Sequence, residues 1–156
     1  MTLTDVYYFI MSTEIFTTVF KLLLIVILSA IVGHERETWN KPAGFATYAL
    51  VGISATLAMI CGKYMYNQVG NIDPTRLPAQ LLSGIGFLGA GTILKDGFNV
   101  KGLTTTAGLL AITCIGLEVG AGDYLGAIFA TIIVFLIMKK SHKYADKQAQ
   151  QIKKED

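Results

Sequence analysis

Gly84, Gly86 and Gly89, inside the run SGIGFLGAGTIL from Ser83 to Leu94, stand at the spacing G-x-G-x-x-G. At that spacing the missing Cβ atoms let a backbone turn approach a pyrophosphate. The same chemistry needs a preceding strand, a following amphipathic helix and an acidic residue about 20 positions later. Here the run continues an uncharged stretch that begins near Leu77. Nucleotide binding is therefore set aside in favour of helix packing in a bilayer, where small residues bring backbones together because lipid tails are as apolar as Leu. Ser83, Gly86 and Ala90 share one helical face, as do Gly84 and Gly91.

Charges next to apolar runs are the other candidates, because burying them is costly and their presence usually marks function. In GHERETWNKPAG (Gly33 to Gly44), Glu35, Arg36 and Glu37 directly follow an apolar run, and Trp39 suits an interfacial depth. Asp73, Pro74, Thr75 and Arg76 precede Gln80 at the start of the glycine-rich run. Asp73 reads as a helix N-cap with Pro74 at the first helical position, which leaves Arg76 and Gln80 in need of partners. Glu118 and Asp123 flank a Gly-Ala-Gly turn. With Asp73 they form a weak candidate set for Mg2+, a hard cation that takes oxygen ligands; no other cofactor is expected. Thr104, Thr105 and Thr106 open a further apolar run, where hydroxyls bond back to helix carbonyls or across to neighbours. No Ser-His-Asp or Cys-His pairing is recognisable, so an enzyme is not expected, and neither is a nucleic-acid partner. Cys61 and Cys114 fall inside apolar runs, where a thiol serves as a small packing residue.

The elements that position these groups follow from composition. The 156-residue chain is 53% hydrophobic and 15% charged, against about 25% charged in soluble domains. That describes an integral membrane protein of the all-α class. About 20 apolar residues span a bilayer as helix, and five runs approach that length: Ile15 to Val32, Ala43 to Cys61, Leu77 to Leu94, Gly102 to Glu118, and Gly122 to Met138. Lys21 lies within the first and must snorkel. Five crossings place Arg36, Lys41, Lys95, Lys101 and the tail lysines from Lys139 onward on one side, with Lys63 and Arg76 on the other. Since cytoplasmic loops carry the basic excess, the N-terminus is expected outside and the C-terminus in the cytoplasm. Residues 1–138 then form one transmembrane domain, and 139–156 a basic cytoplasmic tail able to touch anionic lipid. No basic segment precedes the first run as in a cleavable signal, so that run is expected to stay as an anchor.

Taken together, Gly33-x-Glu35-Arg36-Glu37, Lys41-Pro42-Ala43-Gly44, Asp73-Pro74-x-Arg76, Ala79-Gln80 with Ser83 to Ile93, and Gly102-Leu103-Thr104-Thr105 ahead of Ile115-Gly116-Leu117 resemble the membrane domain of the MgtC/SapB family. The resemblance covers about residues 20 to 138. It implies a multi-pass protein of the bacterial inner membrane with about five helices. It also implies association with low-Mg2+ adaptation, with survival of intracellular pathogens, and with restraint of the F-type ATP synthase. A small regulatory membrane protein is therefore expected, acting by contacts with itself as a homo-oligomer and with a membrane complex. The alternative is an oligomeric magnesium or cation transport component. Ala46 and Tyr48 stand where relatives commonly carry Arg and His, and Glu118 and Asp123 where small or apolar residues are usual. Members with a soluble C-terminal regulatory domain continue well beyond the fifth helix, so functions of that domain are not expected from these residues.

Overall fold

In the computed structural model, the backbone is described for residues 3–96 and 99–155, and the side chains for 13–93 and 100–140. The side chains of Lys95, Asp96 and the tail lysines beyond Lys140 lie outside the described residues. The described residues form five helices, α1 (Leu3–Thr38), α2 (Phe45–Val69), α3 (Arg76–Gly91), α4 (Leu103–Ala121) and α5 (Tyr124–Glu155). The helical membrane bundle expected from the apolar runs is what forms. One element was not expected: the polar link after α3 is a small antiparallel hairpin, β1 (Leu94–Asp96) with β2 (Asn99–Lys101), Leu94 opposite Lys101. Strands of three residues leave too short an alternation to be read from sequence.

The helices outlast the apolar runs because backbone hydrogen bonding continues once the chain has left the apolar layer. Thus α1 continues through Thr38 and α2 through Val69. Among the described residues three segments are long and apolar enough to cross a membrane, Thr13–Thr38, Phe45–Val69 and Leu103–Ala121. The 16 residues of α3 reach about 24 Å at 1.5 Å per residue.

Residue contacts fix the helix directions. Tyr48 meets Thr105, Thr56 meets Gly116 and Lys63 meets Ala121, so α2 and α4 run parallel. Lys21 reaches Gly120 whereas Arg36 reaches Thr105, so α1 runs opposite to α4. Thr106 at the start of α4 meets Gly89 at the end of α3. The Phe20 ring packs edge-on against Tyr124 with centroids 5.4 Å apart, which places the start of α5 beside the first half of α1. The bundle therefore alternates, α1, α3 and α5 one way and α2 and α4 the other. We call the end holding Arg36 and Thr105 the arginine end, and that holding Lys21 and Lys63 the lysine end.

Ile25, Val32, Tyr48, Leu109, Ile112 and Val119 form the centre of the core, and α4 packs against all four other helices. Outside, Phe16, Leu50, Phe87, Leu125, Phe129 and Ile137 are exposed, the pattern of a surface that meets lipid rather than water. Cys61 and Cys114 are free and also face outward, so they are not the packing residues that their apolar runs suggested.

Apart from Gly89, which lies against Thr106, close approach depends on glycines outside the SGIGFLGAG run. A Cβ on Gly116 would lie 2.6 Å from the Gly52 carbonyl oxygen, and one on Gly120 would lie 2.7 Å from that of Thr56. On Gly52 it would lie 2.7 Å from Ser29 Oγ, and on Gly33 2.6 Å from Phe45 Cα. A Cβ on Gly84, Gly86 or Gly91 would meet nothing from the other described elements within 4 Å. We expect Gly116→Ala to cost about 1–3 kcal/mol through overpacking and Gly84→Ala to leave the fold unchanged. Thermal unfolding in detergent checks this, and equal melting temperatures for the two variants would refute the α2–α4 contact as described.

Candidate functional site

The arginine end holds the charged groups that are most buried. α1 ends with Asn40 in the left-handed region at φ 48°, its N–H donating to the Glu37 carbonyl at 3.0 Å while that of Lys41 donates to Arg36 at 3.1 Å. This closure is of the kind that Asn often makes at a helix C-terminus, and the three charged side chains just before it divide between the start of α2 and the bundle interior. Glu37 turns to the start of α2, where its Oε1 accepts the Phe45 N–H at 3.0 Å. A carboxylate there satisfies an orphan donor and meets the positive end of the helix dipole. Gly44, the N-cap of α2, has no side chain to do so, and a Cβ on it would lie 2.5 Å from Glu37 Oε1. The Gly44 in KPAG thus makes room for the Glu37 in GHERE.

Glu35 and Arg36 turn into the bundle. Arg36 is 1% exposed and Glu35 8%. The Arg36 Nη2 donates to Thr105 Oγ1 at 2.8 Å, tying α1 to the first turn of α4. Tyr48, fully buried, brings its hydroxyl to 3.4 Å from the Thr105 carbonyl and lies in electrostatic range of both charges. Position 48 thus holds a phenol close to both charged side chains. Thr106 bonds across to the Gly89 carbonyl at 3.0 Å and to Thr92 Oγ1 at 2.9 Å, fixing the end of α3. Thr104 stays exposed. Sequence reasoning singled out Glu35, Arg36 and Glu37 but not Thr105 or Tyr48 as their partners.

At the lysine end, Asp73 organises the turn before α3. Its Oδ1 accepts the Thr75 hydroxyl at 2.6 Å and the Thr75 N–H at 2.8 Å, holding the Asp73 carboxyl below its ordinary pKa. The regular helix begins at Arg76 rather than Pro74, so Asp73 caps a tight preliminary turn. That turn lies directly against α2, because a Cβ on Gly62 would meet the Pro74 carbonyl oxygen. Asp73, Arg76 and Gln80 line an open cavity of about 260 Å3 with Ile72, Met65 and Leu77, so the structure does bring these three together. Asp123 caps α5, its Oδ1 accepting the Gly126 N–H at 2.9 Å, while Glu118 is exposed on the last turn of α4. Among the described residues no three His, Cys, Asp or Glu side chains converge; Asp73, Glu118 and Asp123 occupy one end without forming a single cluster.

Ser83, Gly84, Gly86, Ala90 and Gly91 point away from the bundle, while Gly89 is buried against Thr106. The small-residue face of α3 is thus a surface of the monomer.

An alternating helix bundle with an apolar exterior, polar groups gathered at its two ends and the buried side chains of Glu35 and Arg36 under the first loop is a helical membrane protein. Residues 22–146 match the model of the MgtC family, and the chain belongs to that family. It is 35% identical over 130 residues to a protein of Escherichia coli K12 named "Putative magnesium transporter YhiD", covering 80% of this chain and 60% of that protein. It is 39% identical to "Protein MgtC" of Salmonella typhimurium over 119 residues, 76% of this chain and 50% of the relative. For "Protein MgtC" of Brucella abortus the figures are 39% over 111 residues, 71% and 45%. The chain therefore spans about half of the length of such relatives. No solved structure matches it.

Removing a charge from a buried charged group typically costs about 3–5 kcal/mol. Arg36→Leu is expected to lower stability by that order, and Glu35→Gln added to it to recover part of the loss, since the buried negative charge then goes too. A double-mutant cycle of detergent melts reads the coupling; additive losses would show that the two charges act independently. At the lysine end the sign follows from the lowered Asp73 pKa. The turn is fully held above the ordinary carboxylate value of 3.8 and loosens as pH falls through the lower folded value. Protection factors of the Thr75 and Arg76 amides, taken against the intrinsic exchange rate at each pH, should fall on acidification in the wild type and be low at every pH in Asp73→Ala.

Proposed function

We propose that this chain is a small regulatory protein of the bacterial inner membrane that works by helix contacts with copies of itself and with a membrane complex, in adaptation to low magnesium or related stress. It crosses five times, with the N-terminus outside and the arginine end in the cytoplasm. The alternating helix directions and the lysines gathered in the second half of α5, from Lys139 onward, support that orientation. The observation that carries the contact reading is the outward face of α3. Ser83, Gly84, Gly86, Ala90 and Gly91 leave the backbone open, and Phe87 beside them is 88% exposed. Small residues gain nothing from lipid over larger apolar ones but permit close approach of another helix. The magnesium setting, and the F-type ATP synthase as the complex contacted, rest on the family resemblance.

The second reading is an oligomeric magnesium or cation transport component. Its support is the name of the Escherichia coli relative and the acidic side chains Asp73, Glu118 and Asp123 at one end. Reconstituted protein separates the two. Regulation by contact predicts a defined oligomer by native mass spectrometry, dispersed by Gly84→Leu/Gly86→Leu at unchanged monomer stability, with Mg2+ flux equal to that of empty vesicles. Flux above empty vesicles that is lost in Asp73→Asn would place transport first. Intact oligomers in the double Leu variant would remove α3 as the contact face.

A further inference from the structure

The last carbonyls of a helix have no partner within it, and at the C-terminus of α4 each is met differently. Gly122, in the left-handed region at φ 101°, and Asp123 donate their N–H groups to the Glu118 carbonyl at 2.9 and 3.0 Å, and Gly122 also to that of Val119 at 3.2 Å. The two carbonyls that remain take side chains from other helices. Lys21 Nζ of α1 donates to Gly120 O at 2.9 Å, and Lys63 Nζ of α2 donates to Ala121 O. Two ammonium groups from different helices are thereby held against adjacent carbonyls. Each has further N–H donors beyond the one its carbonyl uses.

Those donors border a pocket of about 230 Å3 between α1 and α2, also lined by Thr13, Thr17, Thr18 and Asn67. Two cations face one carboxylate there, that of Glu14. The pocket shares Glu14, Thr18 and Tyr64 with a neighbouring hollow of about 320 Å3, whose remaining lining is Ile15 and Val19. A cationic, hydroxyl-lined compartment thus continues into an apolar one on the outer surface of the bundle. Tyr64 and Tyr66 are half exposed at the same level, as aromatic side chains are at the headgroup layer. Lys21 and Lys63 therefore stand at phosphate depth, their stems along the apolar surface.

We propose that the lysine end holds an anionic phospholipid, its phosphate between Lys21 and Lys63 and an acyl chain along Ile15 and Val19. The occupant is an amphiphile because both compartments are needed to describe the cavity, and it is anionic because two ammoniums converge where a single carboxylate opposes them. The lipid joins α1, α2 and the end of α4 from outside. This proposal does not depend on whether the protein regulates or transports.

The full chain in phosphatidylglycerol nanodiscs should melt higher than in phosphatidylcholine nanodiscs and retain phosphatidylglycerol in native mass spectrometry. Lys21→Gln and Lys63→Gln should each lower that retention about fivefold, and the double variant should lose the lipid-dependent rise in melting temperature. If the lysines only cap α4, the double variant melts lower by the same amount in both lipids and keeps the rise, which overturns the site. Lys21→Arg and Lys63→Arg should keep both retention and rise. An equal loss of retention in Lys139→Gln/Lys140→Gln would reduce the effect to general surface charge and also overturn it. Inorganic phosphate added to delipidated protein in detergent tests the other source of the same chemistry. Stabilisation by phosphate with no lipid retained would assign the pocket to a free anion and remove the lipid.

Discussion

The structure depends on how closely α2 and α4 approach. With Gly116 over the Gly52 carbonyl and Gly120 over that of Thr56, the two backbones run side by side at a separation that no larger residue allows. Lipid offers no hydrophobic drive to hold helices together, so packing of this kind and hydrogen bonds between helices must do it. Thr56 adds such a bond, its Oγ donating to Gly116 O at 2.9 Å in the same stretch. Because α2 and α4 run parallel, their contact brings Tyr48 to Thr105 at one end and Lys63 to Ala121 at the other. The first pairing builds the socket that Arg36 enters. The second places Lys63 beside the carbonyl that Lys21 reaches from α1.

This arrangement explains the local sequence of the first loop. Gly33, Arg36, Glu37 and Gly44 are spread over the end of α1 and the turn that leads to α2, and each has a separate task. Gly33 lets α1 approach the start of α2, Arg36 bonds Thr105, Glu37 caps α2, and Gly44 leaves space for Glu37. The buried guanidinium ties α1 to α4 while the exposed carboxylate ties it to α2. Loss of either connection would free α1 at a different point, so the motif works as one joint with two bearings.

The helices were legible because apolar runs of the right length have few alternatives in a chain this hydrophobic. Charges flanking those runs also announced themselves; in the fold Arg36 bonds Thr105, Asp73 holds the turn at Thr75, and Glu35 is buried. The glycines were harder. The dense run Ser83 to Gly91 drew attention by composition, yet within the chain only Gly89 of its glycines is in close contact. Gly108, Gly116 and Gly120, spaced along one face of α4, carry the packing, and the Gly116-x-x-x-Gly120 spacing was the available signal. Thr105 was not readable as the partner of Arg36, since a sequence separation of 69 residues becomes contact only once α2 and α4 are parallel. The hairpin was too short to show a period, and the lysines at the end of α4 read as isolated charges until the fold brought them to adjacent carbonyls.

Polar groups are not spread evenly through the bundle. Among the described residues the buried charged side chains are Glu35 and Arg36, both at the arginine end; the other buried polar groups are the Tyr48 phenol, also at that end, and the hydroxyls of Ser29, Thr56, Thr105, Thr113 and Thr131. Thr113 and Thr131 donate to carbonyls in their own helices, at 2.7 and 2.8 Å, and Thr56 donates to α4, so these hydroxyls are engaged with backbone rather than turned toward a channel. The middle of the core is filled by Ile25, Leu109, Ile112 and Val119. A hydrated cation crossing the bilayer needs polar groups along its route; in the described interior of one chain the buried charges stand at the arginine end, and the groups nearer the centre are hydroxyls. The face left open for another chain is the small-residue side of α3, which joins the Asp73 turn at one end to the Thr92–Thr106 contact at the other. Regulation by contact and conduction between copies thus make their first demand on the same surface.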